Sequence, residues 1–300
     1  MADSAPFTPS IYITPQVAVG VAPTADARSI RLIGRTGSKE VELRRVTATE
    51  NPRFAGFVVS GSSLIWAEST TDADGSTRTA IWKTNWHTLI KPVLVTTDTQ
   101  DATFAGSQYD MVVHDDRVYW TAALDGGTEV RSVGLDGGDT QWQDLNGEFG
   151  LSEWPWLVSP GGRGKPVTLY NLSTGREVTV RPSRTQTATC TPTWCRLDTP
   201  AATGLARIDV RRPDGTGAAQ AAGPEATPAI VDAVLLDRYL PLITDQESGT
   251  GLSLYDVTTA QTSLIALNVD NVRGHDGVMW WSTTSDGGLT WHALDLRTLP

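Results

Sequence analysis

A block of about 42 residues recurs along the chain, and it limits the possible folds more than any single motif does. Each copy runs as a weak apolar strand, an aromatic or aliphatic strand, a loop rich in Gly, Asp, Thr or Pro, a third strand and a polar turn. The second strands read SLIWAES, RVYWTAA, WPWLVS, TWCRLD, RYLPLIT and GVMWWSTT. The third strands lead into turns at Asn85, Gly134, Asn171, Asp209, Asp256 and Asp295, at intervals of 37 to 49 residues. Weaker segments such as FVVSG, MVVHD, AVLLD and NVRGHD fit the innermost position, and PVLVTT, TQWQDL, EVTVRP and SLIAL fit the outermost. Four short strands per block without helical periodicity are the signature of an all-β propeller rather than an α/β fold.

Six blocks predict a six-bladed β-propeller over residues 28–300, preceded by an extended segment, 1–27. The last block stops at Pro300 after its third strand. KEVELRRVTA, or failing that RSIRLIGR, alternates apolar with charged residues and is expected to complete that blade, covering an edge that would otherwise template association. With about 50 residues ahead of the first block, seven blades is the alternative.

The LYDVTT and LYNLSTG turns and the aromatic second strands resemble the TolB-like six-bladed propellers. The CTPTWC segment is similar to that of uncharacterised secreted actinobacterial propeller proteins. This resemblance implies a scaffold that binds protein at the propeller faces.

Charge narrows the partners. A formal charge of −10 and a pI near 4.8 oppose the phosphate backbone, so nucleic acid is not expected. No apolar run approaches the roughly 20 residues of a membrane-spanning helix, and MADSAPFTPS is not a signal sequence, so no membrane insertion is expected. Cys190 and Cys195 are the only cysteines. Their spacing suits a disulfide, with two buried thiols or a metal or redox site as alternatives, and a disulfide would place the protein outside the cytoplasm or in a secreted pool. Buried thiols would leave it cytoplasmic.

Candidate chemistry concentrates in loops freed from packing. Most of the 11 tryptophans fall within strands and are expected to be core, whereas Trp154 and Trp156 lie in a loop-like stretch. Arg53, Tyr109, Asp110, Glu153, Trp154, Trp156, Arg273 and His275 are therefore the candidate ligand-binding residues, expected on loops between an outer strand and the next inner strand, around the mouth of a central channel. A second loop set contributes Asp72, Asp74, Asp125, Asp245, Glu247 and Asp286, giving an acidic rim suited to cations or basic peptide segments. Asp72 and Asp74 in DADG begin like a calcium loop but lack the remaining ligands, so no metal is expected. Glu68, Asp110, Asp115, Glu153 and Asp276 are the carboxylates available to a glycosidase-like pair, and His114 and His275 each precede an aspartate. No GxSxG nucleophile elbow occurs, and no catalytic residue or cofactor is assigned. The sequence thus points to a non-enzymatic propeller holding a protein or peptide. A channel-centred hydrolase or lyase on a sugar or small metabolite, or a lectin-like module contacting glycan, are the alternatives.

Overall fold

The computed structural model describes residues 6–246, 249–285 and 288–300. Glu247 and Asp286 of the acidic loop set lie outside them. The first sheet comprises β1 (Thr8–Thr14), β2 (Val17–Pro23), β3 (Ser29–Thr36) and β4 (Lys39–Thr47). The second holds β5 (Arg53–Ser60), β6 (Ser63–Thr71), β7 (Thr77–Asn85) and β8 (Val93–Thr96). The third holds β9 (Met111–His114), β10 (Arg117–Leu124), β11 (Gly127–Gly134) and β12 (Gln141–Asn146). The fourth consists of β13 (Gly150–Leu151), β14 (Trp156–Val158), β15 (Val167–Asn171) and β16 (Glu177–Val180). The fifth consists of β17 (Thr187–Cys190), β18 (Cys195–Pro200), β19 (Leu205–Arg211) and β20 (Ala219–Ala222). The sixth contains β21 (Ala226–Pro228), β22 (Tyr239–Gln246), β23 (Gly249–Asp256) and β24 (Gln261–Leu267), and the seventh β25 (Val269–His275), β26 (Val278–Ser285) and β27 (Gly288–Asp295). Each sheet is a meander of strands adjacent in sequence, and the fold is an all-β propeller of seven blades. The chain divides into two compact units, Met1–Leu151 and Ser152–Pro300. Among the described residues no helix is long and apolar enough to cross a membrane.

The all-β propeller has seven blades, the alternative to the expected six, and the added one is the first sheet. KEVELRRVTA is not a closing strand for the last blade: Lys39–Thr47 pairs with β3, from Thr36 opposite Lys39 to Ser29 opposite Thr47. RSIRLIGR supplies β3 itself, and the stretch set apart as an extended lead-in carries β1 and β2. Ile11 and Val19 from that stretch are almost completely buried, which an extended tail would not require. Among the described residues the last sheet is three-stranded and no sheet mixes strands from both chain ends. AVLLD is likewise not an inner strand: β21 takes that place, and Leu235 makes only an isolated bridge to Tyr239.

The repeat is legible because one turn chemistry recurs where a third strand ends. The Asn85 side-chain oxygen accepts from the N–H groups of His87 and Thr88 at 3.0 and 3.3 Å, and that of Asn171 from Ser173 and Thr174 at 3.1 and 2.9 Å. Asp256 does the same for Thr258 and Thr259 at 2.8 and 3.3 Å, and Asp295 for Arg297 at 3.1 Å. These are Asx turns, in which a short side chain mimics a backbone acceptor. Asp209 breaks the alignment, since it sits inside β19; the turn beyond it is organised by Asp214, which accepts from Thr216 N–H at 2.9 Å. The turn after β3 needs no Asx residue, because Gly37 adopts a φ of 58° within a two-residue hairpin.

Arg238 adds a second layer at one such turn, donating from Nε and Nη2 to Asp256 Oδ2 at 2.9 and 2.7 Å. Burial works against the charged carboxylate, but these bonds and those from Thr258 hold its pKa well below the ordinary 3.8. A depressed carboxylate stabilises the fold fully above its unfolded pKa and loses that contribution as pH falls toward its folded value. Asp256→Asn is therefore expected to be less stable than wild type in urea near neutral pH, with the difference shrinking once pH drops below about 4. A gap independent of pH would contradict this account of the pair.

Candidate functional site

Short range order in the fifth sheet begins with its disulfide. Cys190 and Cys195 face each other across β17 and β18 with Cα atoms 4.0 Å apart, and their sulfurs are joined. Both are buried among Val167, Leu169, Ala188 and Leu197. The four-residue turn they clamp is tied further by Thr191, whose hydroxyl accepts from the N–H groups of Thr193 and Trp194 at 3.3 and 3.1 Å. Crosslinking so short a loop still removes about 2 kcal/mol of freedom from the unfolded chain in the loop-entropy model.

That turn reaches Asp237. Thr193 Oγ1 donates to Asp237 Oδ2 at 3.2 Å, and Trp194 Nε1 donates to the Asp237 carbonyl at 2.9 Å. Leu236 and Asp237 have φ of 52° and 51°, a left-handed pair in the turn leading into β22. Aspartate tolerates this conformation better than most residues, which accounts for its presence there. Glu153 occupies the turn from β13 to β14, where its carbonyl accepts from Trp156 N–H at 2.8 Å and the Trp154-Pro155 peptide is cis. Glu153 as a whole residue is exposed, yet partial burial of its carboxyl pushes the pKa up, and the charge of Asp237 adds to the shift. Among the described residues neither carboxylate has a cationic side chain within ion-pair distance. Four aspartates of the same unit do: Asp198 with Arg196, Asp209 with Arg207, Asp256 with Arg238 and Asp295 with Arg297.

The sequence-derived candidates scatter. Arg53 opens β5 and is exposed. Tyr109 and Asp110 are half-buried ahead of β9, and the Asp110 carboxylate accepts from Ala105 and Gly106 N–H groups at 2.9 and 2.7 Å, organising its own loop. These three belong to the first unit and the others to the second. Glu153 and Trp154 lie in a turn between an inner and a second strand, not in an outer-to-inner loop as expected. Trp156 begins β14 and packs on the Leu169 and Leu197 cluster. Arg273 is exposed within β25 opposite Trp280, and His275 ends that strand before a turn in which Asp276 and Gly277 both have positive φ. Thr193 and Asp237 were missed. The cysteine pair marked the Thr193 turn, but Asp237 was hidden inside AVLLD.

Other candidate carboxylates are structural. Glu68 accepts both prongs of Arg44 at 2.7 and 2.6 Å, while the same guanidinium lies 3.9 Å from the Trp82 ring centre. Asp72 pairs with Arg78 at 2.6 Å, and Asp74 accepts from Ser76 N–H at 2.9 Å, so the DADG loop is held by its own side chains. Asp115 and Asp116 form a tight left-handed turn next to His114, whose Nε2 is 3.4 Å from Asp115 Oδ2.

Comparison with known proteins yields no matching family model and no matching curated protein. Solved structures do share the fold. The propeller domain of the trilobed protease from Pyrococcus furiosus, described as an open velcro topology, superposes with a TM-score of 0.52 at 11% identity, covering 81% of this chain and 83% of that one. A puromycin-hydrolysing peptidase of Mycobacterium tuberculosis gives 0.59 at 13% identity over 98% of this chain, which spans 52% of the peptidase. An oligogalacturonate lyase in complex with manganese gives 0.51 at 10% identity over 99% of this chain and 84% of that one. At such identities the likeness is one of fold.

The coupling between Glu153 and Asp237 has a direct readout. Asp237→Asn removes the neighbouring negative charge, so Glu153 should titrate at lower pH than in wild type while staying above the ordinary carboxylate value, because its burial persists. Carboxyl carbon shifts followed by NMR through an acid titration would measure it. An unmoved Glu153 midpoint would separate the two groups.

Proposed function

We propose that the chain is a binding propeller that receives a cationic group of a protein or peptide partner, a lysine side chain or a free amino terminus, between Glu153 and Asp237. The supporting observation is that partial burial, and after it the charge of Asp237, raises the pKa of Glu153, while among the described residues neither carboxylate has a cationic side chain within ion-pair distance. Two negative groups without a counter-ion repel each other, and an incoming ammonium relieves that repulsion as it binds. Trp154, half-buried beside Glu153, offers an aromatic surface for the partner's aliphatic stem or for a cation over its ring. Trp156 is spent on packing, which leaves a glycan-stacking role to Trp154 alone. The overall charge of −10 favours a basic partner, and the disulfide suits a protein working in an oxidising compartment.

A second reading follows from the same raised carboxyl. A carboxyl with a raised pKa holds its proton to higher pH than an ordinary carboxylate, and the fold is shared with peptidases and a lyase, so Glu153 would serve as the acid of a hydrolase or lyase. Calorimetry with lysine-bearing peptides and their acetylated counterparts distinguishes the two. On the binding reading, Glu153→Gln and Asp237→Asn each weaken the basic peptide, Trp154→Ala costs more than about 1 kcal/mol, and added salt weakens binding further. Acetylated and unmodified peptides binding equally would end the cationic reading. Cleavage of the peptide by wild type, abolished in Glu153→Gln, would favour the enzyme.

A further inference from the structure

A second polar recess lies in the same unit. It is a cleft of about 260 Å³ along β18 to β20, with Leu197 on its wall and Arg207, Asp209, Arg211, Gln186 and Gln220 as its polar lining. Its volume is just below the roughly 300–1,000 Å³ typical of sites for drug-sized ligands, so it suits a molecule the size of a monosaccharide rather than an extended peptide.

Alternation along β19 sets its chemistry. Arg207, Asp209 and Arg211 are two residues apart, so their side chains leave the same side of the strand. Asp209 is committed to one neighbour: Arg207 Nε donates to both of its oxygens at 2.7 Å. Arg211 is not so served. It is half-buried, its Nη2 donates to the carbonyl oxygen of Arg181 at 3.1 Å, and its Nε is buried without a hydrogen-bond partner. Among the described residues no carboxylate lies within ion-pair distance of it. The cleft therefore carries a neutral Arg207 and Asp209 pair plus one uncompensated guanidinium, on a protein whose formal charge is −10. A partly desolvated cation without a counter-ion is costly, and an anion that enters the cleft removes that cost.

We infer that this cleft is a binding site for a small hydroxylated monocarboxylate, with Arg211 as the residue that receives the carboxylate. A single guanidinium matches a single carboxylate in charge and in its planar, two-pronged geometry. The Asp209 carboxylate on the same wall repels a phosphate dianion but accepts from a hydroxyl, and the amide of Gln220, whose nitrogen donates to the Ala222 carbonyl at 3.3 Å, adds an oxygen that accepts from a further hydroxyl. The inference does not rest on the Glu153 and Asp237 reading, and its ligand carries the opposite charge.

D-gluconate tests it against D-sorbitol, which differs only in having a CH2OH group in place of the carboxylate, and against inorganic phosphate. Wild-type protein titrated with gluconate and followed by amide NMR should show saturable shifts clustered on residues of β18 to β20. Sorbitol and phosphate should each bind at least tenfold more weakly. Arg211→Met, which keeps the aliphatic stem, should lose gluconate binding at least tenfold while Glu153 continues to titrate as in wild type. If Arg211→Met fails to fold, Arg211→Lys carries the test, since it keeps the charge but not the fork and should also bind more weakly. The inference is overturned if gluconate does not bind, if its shifts lie elsewhere, if sorbitol or phosphate binds as tightly, or if folded Arg211 variants bind gluconate unchanged.

Discussion

A four-stranded sheet this small has two faces and can bury neither alone, so the structure depends on consecutive sheets sharing their apolar surfaces. Ile65, Ile81 and Val95 of the second sheet form one cluster with Met111, Val118, Trp120 and Val133 of the third. Val167, Leu169 and Val180 of the fourth pack with Ala188 and Leu197 of the fifth, and Ile208 and Val210 of the fifth with Leu240, Leu242 and Tyr255 of the sixth. Leu252 and Leu254 then meet Met279 and Trp281. Full burial of one such aliphatic side chain contributes about 1.5–3 kcal/mol, and the sum must offset the entropy of ordering many short strands. Both faces being apolar also accounts for adjacent Trp280 and Trp281 pointing opposite ways and both being buried.

The polar groups caught between sheets show the cost of this arrangement. Arg196 is buried and donates to the carbonyls of Ile230 and Asp232 at 3.1 and 2.7 Å, with Asp198 at 3.2 Å completing its charge balance. Burial raises the Asp198 pKa, and Arg196 draws it back. By contrast with this ion pair, the carboxylates of Glu153 and Asp237 and the guanidinium of Arg211 have no oppositely charged side chain within ion-pair distance among the described residues. Both functional proposals rest on this contrast, one with each sign.

Strand order and blade architecture were legible wherever a chemical marker recurred. Aromatic second strands and Asx turns at Asn85, Asn171, Asp256 and Asp295 identified their sheets because the same side chain performs the same backbone job each time. The first sheet carries neither marker: β2 reads VAVGVAP, and Gly37 makes the turn after β3 by conformation alone. Only β3 and β4 were visible in it as strands, and their membership was not, since alternation in KEVELRRVT fits an outer strand in any sheet, while β1 and β2 passed for an extended lead-in. The functional residues were legible only in part. Glu153 and Trp154 stood out as polar and aromatic groups in a loop-like stretch, whereas Asp237 and Arg211 owe their interest to missing neighbours, a property that exists only in three dimensions.

Among the described residues no sheet shares strands between the chain ends, which has a consequence for synthesis. Every β pairing within these sheets joins segments adjacent in sequence, so none of these strands has to wait for a distant part of the chain to be made. Hydrogen-bonded pairing then closes only short loops, the condition under which sheet formation is fastest. The first sheet can complete its ladders on the ribosome long before the last tryptophans emerge, and each later sheet can pair its own strands as they appear. Pairing sheet by sheet from the amino terminus is an order of assembly that this topology permits.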